Sequence, residues 1–409
     1  MVFPSALKKT VSSISRAQWV VIIFVVIAIP TVTILVYGLT LSDDSSSTPT
    51  YSLADKYGPV IYVNMMYRHG ERNPDDTPPK DSYGDVKYWP GGFGSLTAKG
   101  ILAHYHLGKW IAERYRHLLP ADWTLNNNAI KVYSTDWKRT LMSAQANLAG
   151  MFPITGDASM WEGLSSYPIP IHSIPAADDG LLELSKECKK YKSLVLTSRA
   201  SEEYQKIMRE YQNVTDYVEQ NSGELIKGLQ TYRILYTTYF IEESRGFALP
   251  NWLGKVYPSP MRELAVSSHV WPTRTTEMKR LRGGPFLKEV LRNFHGKLNG
   301  SDSLNMTVYS AHDTSLSAAM GALGVFNDEF PPFAALFLLE LRMTKNETEP
   351  VVMLWYKNTT SDPFMLHLPG CTAACPLSQM ELLLEPVIPD DWDKECQGMS
   401  YENLTVLAN

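Results

Sequence analysis

Two arginines, a histidine and a glycine follow directly behind an apolar run. The run, Val60 to Met66, is rich in β-branched residues, which predicts a buried strand of a parallel sheet. The residues that come next are Arg68, His69, Gly70 and Arg72. Guanidinium groups bind phosphate bidentately, and a neutral imidazole nitrogen can attack phosphorus. The segment therefore predicts phosphoryl chemistry at the carboxyl end of a strand, the alternative being a solvated basic turn.

A second strand also ends beside a cation. A short strand, Ile130 to Tyr133, is followed by Ser134 to Asp136, which are good helix caps, and by an amphipathic helix that closes at Gly150. Arg139 would lie in the first turn of that helix, where its charge opposes the helix dipole. An anion bound between the helix amides and the guanidinium would remove the conflict.

A third strand is predicted from Met306 to Ser310, and it delivers His312 and Asp313 just before a helix from Ser315 to Leu323. Capping of the helix alone could explain the acid. It does not explain His312. Three strand ends therefore offer imidazoles, guanidinium groups and one carboxyl group to the same edge of a sheet.

These side chains together predict a metal-free and cofactor-free phosphate site. His69 is the candidate nucleophile, and Asp313 is the nearest candidate general acid for the leaving alkoxide. The groups expected to hold the phosphate oxygens are Arg68, Arg72, Arg139 and His312. Such a site works by positioning and charge stabilisation. A carboxylic acid that donates a proton must be protonated, so operation at acid pH is expected.

The composition is that of a globular protein with a local, not a general, positive charge. The chain has 409 residues, 44% of them hydrophobic, and a formal net charge of −5. The first 18 residues carry Lys8, Lys9 and Arg16 without any acid, so the rest of the chain is more negative still. A nucleic-acid partner would need a basic face, and none is indicated.

The run from Ala17 to Leu41 contains no charged residue and is dense in valine and isoleucine. It is long enough to span a bilayer, whereas a signal-peptide core usually has about 7–15 residues. Basic residues precede it, which places the amino terminus in the cytosol. We therefore predict a cytoplasmic tail (1–18), a transmembrane signal-anchor (19–41), a stalk (42–55) and a carboxyl-terminal tail (401–409). The alternative is a cleaved signal and a secreted protein.

The body of the chain has an α/β pattern that is interrupted once. We predict a catalytic domain over 56–180 and 284–400, with a helical cap inserted at 181–283 over the ligand edge of the sheet. Two stretches dominate the insertion, Ser201–Asn221 and Gly223–Glu243. The last apolar runs, Ala335–Leu341 and Val351–Tyr356, are typical of edge strands or a hairpin.

Four cysteines in a domain predicted to be lumenal indicate disulfides, in one of three connectivities. Cys371 and Cys375 could close a small loop, which would leave Cys188 to join Cys396. A zinc site is disfavoured because no second close pair is present. Six Asn-x-Ser/Thr sequons, which are candidate N-glycosylation sites, agree with a lumenal or extracellular location. They are Asn213, Asn299, Asn305, Asn346, Asn358 and Asn403.

From about Pro59 to Cys396 the chain resembles the histidine acid phosphatases. The resemblance is carried by four segments, Arg68–Pro74, Ser134–Gly150, Tyr309–Thr314 and Pro369–Pro376. It implies a phosphoglycerate mutase-like fold, a mixed, mainly parallel sheet flanked by helices with a helical cap.

The resemblance also implies a role for each site residue. His69 would be phosphorylated, Asp313 would protonate the leaving group, and the other four residues would hold phosphate. The implied disulfides are Cys188–Cys396 and Cys371–Cys375. A third disulfide of relatives is missing here, with Ile241 and Leu336 near the expected places.

The resulting hypothesis is a lysosomal, Golgi or cell-surface acid phosphatase acting on phosphate monoesters, with phosphoproteins as a further option. Relatives often form homodimers, which the sequence neither requires nor excludes. A family member specialised for an inositol phosphate, a lysophospholipid or a phosphorylated sugar is an alternative. Another is an inactive receptor-like ectodomain, which would be expected to have lost His69, Arg139 or Asp313. A phosphoglycerate mutase is disfavoured by the anchor and the cap.

Overall fold

The computed structural model describes residues 56–120, 129–154, 165–343, 349–358 and 362–397. The predicted tail, signal-anchor and stalk (1–55) and the carboxyl-terminal tail (401–409) lie outside these residues. Within the described part of the chain, none of the helices combines the length and apolar character needed to cross a bilayer.

Within these described ranges, eight strands form one mixed sheet with the order β3-β2-β4-β1-β5-β6-β7, and β8 pairs with β6. The first four strands pair in parallel, and β5 to β7 are antiparallel. The mixed α/β sheet predicted from the sequence is confirmed. The strands are β1 (Val60–Arg68), β2 (Ile130–Ser134), β3 (Ile171–His172), β4 (Met306–Ala311), β5 (Leu336–Arg342), β6 (Val351–Lys357), β7 (Phe364–Leu366) and β8 (Cys375–Pro376).

The prediction of edge strands for the last two apolar runs was wrong, because β5 lies in the middle of the sheet. It pairs with β1 on one side and β6 on the other, and all of its residues are buried. Apolar side chains on both faces are what a doubly covered strand requires. The hairpin-like antiparallel pairing of β5 and β6 agrees with the second half of the prediction.

Helices cover both faces of the sheet. Alternate residues of β1 separate the two layers, because side chains along a strand point to opposite faces. Tyr62 and Met66 belong to the core formed with α9 and α10, whereas Val63 and Met65 belong to the core formed with α1 and α2. These helices are α1 (Ala98–Arg114), α2 (Lys138–Met151), α9 (Gly284–Leu298) and α10 (Asp313–Leu323).

Helices α1 and α2 touch through their backbones at two glycines. A Cβ atom at Gly108 would lie 1.9 Å from the carbonyl oxygen of Asn147, and one at Gly150 would lie 2.0 Å from that of Tyr105. Neither position can hold a side chain without moving a helix. Since Arg139 stands in the first turn of α2, these contacts help to set its place relative to β1.

The described residues of the segment predicted as an insertion form several helices around an apolar core that includes Tyr232, Leu235 and Leu264. The predicted stretch 201–221 is two helices that meet at Tyr211, and the next helix starts at Leu229 rather than Gly223. The helices are α3 (Lys189–Ala200), α4 (Glu202–Glu210), α5 (Gln212–Ser222), α6 (Leu229–Ser244), α7 (Met261–Val270) and α8 (Thr276–Arg282). Two helices follow the sheet, α11 (Leu377–Leu384) and α12 (Trp392–Cys396).

Both disulfides implied by the resemblance are present. Cys188 at the start of α3 bonds Cys396 of α12, and Cys371 bonds Cys375 across a short loop. The first bond ties the beginning of the insertion to the end of the described chain.

The sequons differ in their accessibility. Asn213 and Asn299 are exposed, and Asn358 is half-buried. Asn305 donates its side-chain amide to the carbonyl oxygen of Leu118 at 2.8 Å, so the nitrogen that a glycan would need is engaged inside the fold. The remaining two sequons, Asn346 and Asn403, lie outside the described residues.

Candidate active site

The three predicted strand ends lie side by side, because β4 pairs with β1 and with β2. Arg68 is in register with Ala311, and Ser134 is in register with Ser310. The residues that follow each strand therefore emerge at one edge of the sheet. All six predicted site residues meet there, although their sequence numbers run from 68 to 313.

His69 is held with one ring nitrogen free. The side chain is 2% exposed, and Nδ1 lies 2.9 Å from the carbonyl oxygen of Gly70. A carbonyl oxygen can only accept, so Nδ1 carries the proton and Nε2 keeps its lone pair. Burial, followed by the charges of His312 and the nearby arginines, holds the pKa of His69 well below its ordinary value. The neutral form of the imidazole is therefore favoured over the charged form.

Arg68 and Asp313 form a buried ion pair. Arg68 donates Nη1 to the carbonyl oxygen of Pro331 at 2.6 Å, and its Nη2 lies 3.0 Å from Oδ2 of Asp313. Burial alone would raise the pKa of Asp313, but the positive charges of Arg68 and Arg233 outweigh it and hold the pKa well below the usual range. Asp313 is consequently ionised in the free protein.

Arg72 and Arg139 share one carboxylate that the sequence analysis did not single out. Oδ2 of Asp75 lies 2.6 Å from Nη2 of Arg72, and Oδ1 lies 3.7 Å from Nη1 of Arg139. Burial lowers the pKa of Arg72 to about 10, so this guanidinium keeps its charge at acid and neutral pH. The guanidinium of Arg139 also lies 4.6 Å from the ring of Trp137.

His312 has two partners at the same nitrogen. Its Nε2 lies 2.9 Å from Oγ1 of Thr135 and 2.8 Å from Oε2 of Glu183. The ring of His312 is also 5.4 Å from the ring of His69, between centroids. The prediction that Ser134 to Asp136 cap the following helix was wrong. The N-cap of α2 is Trp137, whose side chain forms no capping hydrogen bond. The threonine hydroxyl is directed to the site instead.

Sequence reasoning missed Asp75, Glu183 and Arg233. Nη1 of Arg233, on α6 of the insertion, lies 3.8 Å from Oδ1 of Asp313. Nothing in the sequence around Arg233 or Glu183 distinguishes either residue from a surface charge on an insertion. Asp75 did carry a signal, because it directly follows the motif that ends at Pro74.

The described residues contain no group of three or more His, Cys, Asp or Glu side chains placed to hold a metal ion. The site instead concentrates guanidinium and imidazole groups around a small volume. Such an arrangement can bind an oxyanion and present one neutral nitrogen to its central atom.

Two further buried histidines make the fold sensitive to acid. Burial lowers the pKa of His104 to about 4 and that of His269 to about 3. Their pKa in the unfolded chain is about 6.5. Between pH 6.5 and 4 these two histidines bind more protons in the unfolded chain, so their contribution to the free energy of unfolding falls as the pH falls. Burial raises the pKa of Glu242 to about 9, and that carboxyl group contributes in the opposite direction. His104 alone contributes a loss of up to about 3 kcal/mol by pH 4.

Urea unfolding at pH 6.5, 5.5 and 4.5 would measure this loss. Nε2 of His104 donates to the carbonyl oxygen of Arg68 at 3.1 Å, a bond that glutamine can keep without titrating. The variant His104→Gln is thus expected to lose part of the pH dependence, and His106→Gln, at an exposed position of α1, should retain all of it. An identical pH dependence in His104→Gln and the wild type would contradict the assignment of a neutral buried imidazole at His104.

Comparison with known proteins agrees with this geometry. Residues 60–357 match the family model of the histidine phosphatase superfamily, branch 2. The lysosomal acid phosphatase of Rattus norvegicus is 37% identical over 340 residues, which cover 82% of this chain and 80% of the relative. The prostatic acid phosphatase of Homo sapiens is 36% identical over 344 residues, covering 82% and 87% of the two chains.

Solved structures share the fold at low identity. The phytase of Hafnia alvei in complex with tartrate superposes with a TM-score of 0.61 at 17% identity, covering 81% of this chain and 97% of the phytase. The multiple inositol polyphosphate phosphatase of Bifidobacterium longum, in complex with phosphate, gives a TM-score of 0.57 at 14% identity, covering 86% and 97%. The match of the family model over most of the described chain, together with relatives above 30% identity, shows that the protein belongs to branch 2 of the histidine phosphatase superfamily.

Proposed function

We propose that the protein is an acid phosphatase that hydrolyses phosphate monoesters through a phosphohistidine on His69. The observation that carries the proposal is the state of this imidazole. Its Nδ1 lies 2.9 Å from the carbonyl oxygen of Gly70, which leaves Nε2 with the lone pair, and its ring lies 5.4 Å from that of His312. Burial and the nearby positive charges lower its pKa, which favours the neutral form. A neutral nucleophile within a cationic pocket is what attack on a phosphate ester requires.

The first half-reaction follows from the arrangement of the site. The phosphate oxygens accept hydrogen bonds from Arg68, Arg72, Arg139 and His312. Nε2 of His69 forms a bond to phosphorus while the bond from phosphorus to the ester oxygen breaks. The leaving alkoxide takes a proton from Asp313 and departs as the alcohol. In the second half-reaction a water oxygen forms a bond to phosphorus while the bond from Nε2 of His69 to phosphorus breaks. Asp313 takes a proton from that water, and inorganic phosphate leaves.

The proton on Asp313 needs a source, since the carboxyl group is ionised in the free protein. A bound phosphate competes for the guanidinium of Arg68, which weakens the interaction that keeps the carboxylate ionised. A monoester has a second pKa of about 6, so at acid pH it arrives as the monoanion with one proton to give. We therefore infer that the acid preference comes from the protonation state of the substrate, transferred to Asp313 on binding.

The direct test combines turnover and trapping. The protein should release phosphate from p-nitrophenyl phosphate between pH 4 and 7 in the presence of a chelator. Rapid quenching with labelled substrate should yield an acid-labile, alkali-stable phosphoenzyme that maps to the peptide containing His69. Turnover that requires added divalent metal, or phosphate release without any phosphoenzyme, would rule out this mechanism.

The presence of all six residues at one edge of the sheet argues against an inactive receptor-like ectodomain. The two disulfides and the lysosomal and prostatic relatives favour a lumenal or extracellular location for the described residues. We propose that the uncharged run from Ala17 to Leu41 anchors the chain as a single-pass type II protein. A tag at the amino terminus should then be digested by protease added to sealed microsomes, and full protection of the tag would oppose this orientation.

A further inference from the structure

The carboxylate of Asp75 occupies two of the guanidinium groups that would hold the phosphate. It lies 2.6 Å from Nη2 of Arg72 and 3.7 Å from Nη1 of Arg139. Both arginines are largely buried, with side-chain exposures of 6% and 13%, whereas the Asp75 side chain is 49% exposed. The acid therefore contacts two largely buried cations while about half of its own side chain faces solvent.

The two guanidinium groups have hydrogen-bonding capacity that Asp75 does not use. Arg72 donates Nη1 to the carbonyl oxygen of Asn73 at 2.8 Å, but its Nε is buried without a hydrogen-bond partner among the described residues. The same holds for Nε of Arg139. Buried donors without acceptors are costly. A tetrahedral anion offers more acceptor oxygens than one carboxylate can and would satisfy them.

The backbone that carries Asp75 is fixed, so only its side chain is free to leave. Gly94 donates its N–H to the carbonyl oxygen of Pro74 at 2.7 Å. Thr238 of α6 donates its hydroxyl to the carbonyl oxygen of Asp76 at 3.1 Å. With both neighbouring positions held, rotation of an exposed side chain is sufficient to open the site. No movement of the insertion is needed.

We propose that Asp75 is an internal competitor of the phosphate group, a role that rests on the proposed phosphatase function. In the unliganded protein its carboxylate takes the place of the phosphate oxygens at Arg72 and Arg139. A phosphate monoester must displace it, because two anions cannot share the same two cations without repulsion. After hydrolysis, the return of Asp75 to the arginines helps to expel inorganic phosphate. Asp75 thereby lowers the affinity for substrate and limits inhibition by the product.

The test is the variant Asp75→Asn in the full-length chain, with inorganic phosphate as the probe. Calorimetric titration should show the Kd for phosphate falling about fivefold, the range expected when a partly exposed ion pair no longer competes. KM for p-nitrophenyl phosphate should fall in parallel, with kcat unchanged or lower because phosphate leaves more slowly. The matched control is Asp76→Asn. Asp76 accepts a bond from the backbone N–H of Thr77, has no ion pair with either arginine, and should bind phosphate as the wild type does.

The opposite role for Asp75 would be to orient the two guanidinium groups. In that case Asp75→Asn would bind phosphate more weakly and would lose kcat, and the inference would be overturned. If the wild type binds phosphate and turns over substrate but Asp75→Asn has the same Kd as the wild type, this inference is overturned and the proposed function stays intact. Absence of both binding and turnover in the wild type would overturn both.

Discussion

Replacement of His69 by alanine is expected to lower kcat for p-nitrophenyl phosphate by roughly 10⁴-fold or more. The substitution removes the proposed nucleophile, and loss of a nucleophile typically costs an enzyme this much. Steady-state assays near pH 5 would measure the loss, and the phosphoenzyme should disappear from quenched samples.

The same variant should still bind inorganic phosphate. Arg68, Arg72 and Arg139 are untouched by the substitution, and they provide most of the positive charge of the pocket. Calorimetric affinity within a fewfold of wild type would show that the fold and the anion site survive. The control His106→Ala changes an exposed histidine of α1 and should keep full activity. Residual turnover of His69→Ala above about 1% of wild type would exclude a phosphohistidine at this position.

Substitution of Asp313 by asparagine is expected to discriminate between leaving groups. For an alkyl ester such as glycerol 2-phosphate, kcat should fall by about 10²–10⁴-fold, the usual worth of general acid catalysis. For p-nitrophenyl phosphate the fall should stay within about tenfold, because p-nitrophenolate departs without a proton. The measurement is the ratio of the two kcat values in wild type and variant.

An equal loss with both substrates would contradict the role of proton donor. It would indicate that Asp313 acts by holding Arg68, its partner at 3.0 Å. Removing one member of a buried ion pair typically costs about 3–5 kcal/mol, so the unfolding free energy of Asp313→Asn must be measured beside the kinetics. Asp136→Asn, at an exposed position near the same strand ends, is the matched control for both measurements.

The sequence predicted which side chains lie together at the sheet edge better than it predicted the surrounding elements, because the signal for those side chains is local. Each strand end carries its functional residues within a few positions, so that the strand and its chemistry are visible in one short segment. Parallel pairing then brings the segments of β1, β2 and β4 together without further information. The identification of His69, Arg139 and Asp313 as neighbours follows from that rule alone.

Residues recruited from the insertion could not be found in this way. Arg233 sits on a helix where any exposed cation would look the same, and its approach to Asp313 depends on how α6 packs over the sheet. The central position of β5 in the sheet could not be predicted from the sequence either. An apolar run shows that a strand is buried, but it does not say which neighbours bury it. Thr135 was misassigned because its hydroxyl suits a helix cap as well as it suits His312.

The glycine contacts between α1 and α2 have a consequence for how the site tolerates change. Because main chain meets main chain there, no rotamer adjustment or exchange of a core side chain can alter the spacing of the two helices. The position of the first turn of α2, which carries Arg139, is thus fixed by direct backbone contact between the helices. We therefore expect substitutions in the apolar core elsewhere in the molecule to leave the distance between Arg139 and His69 unchanged.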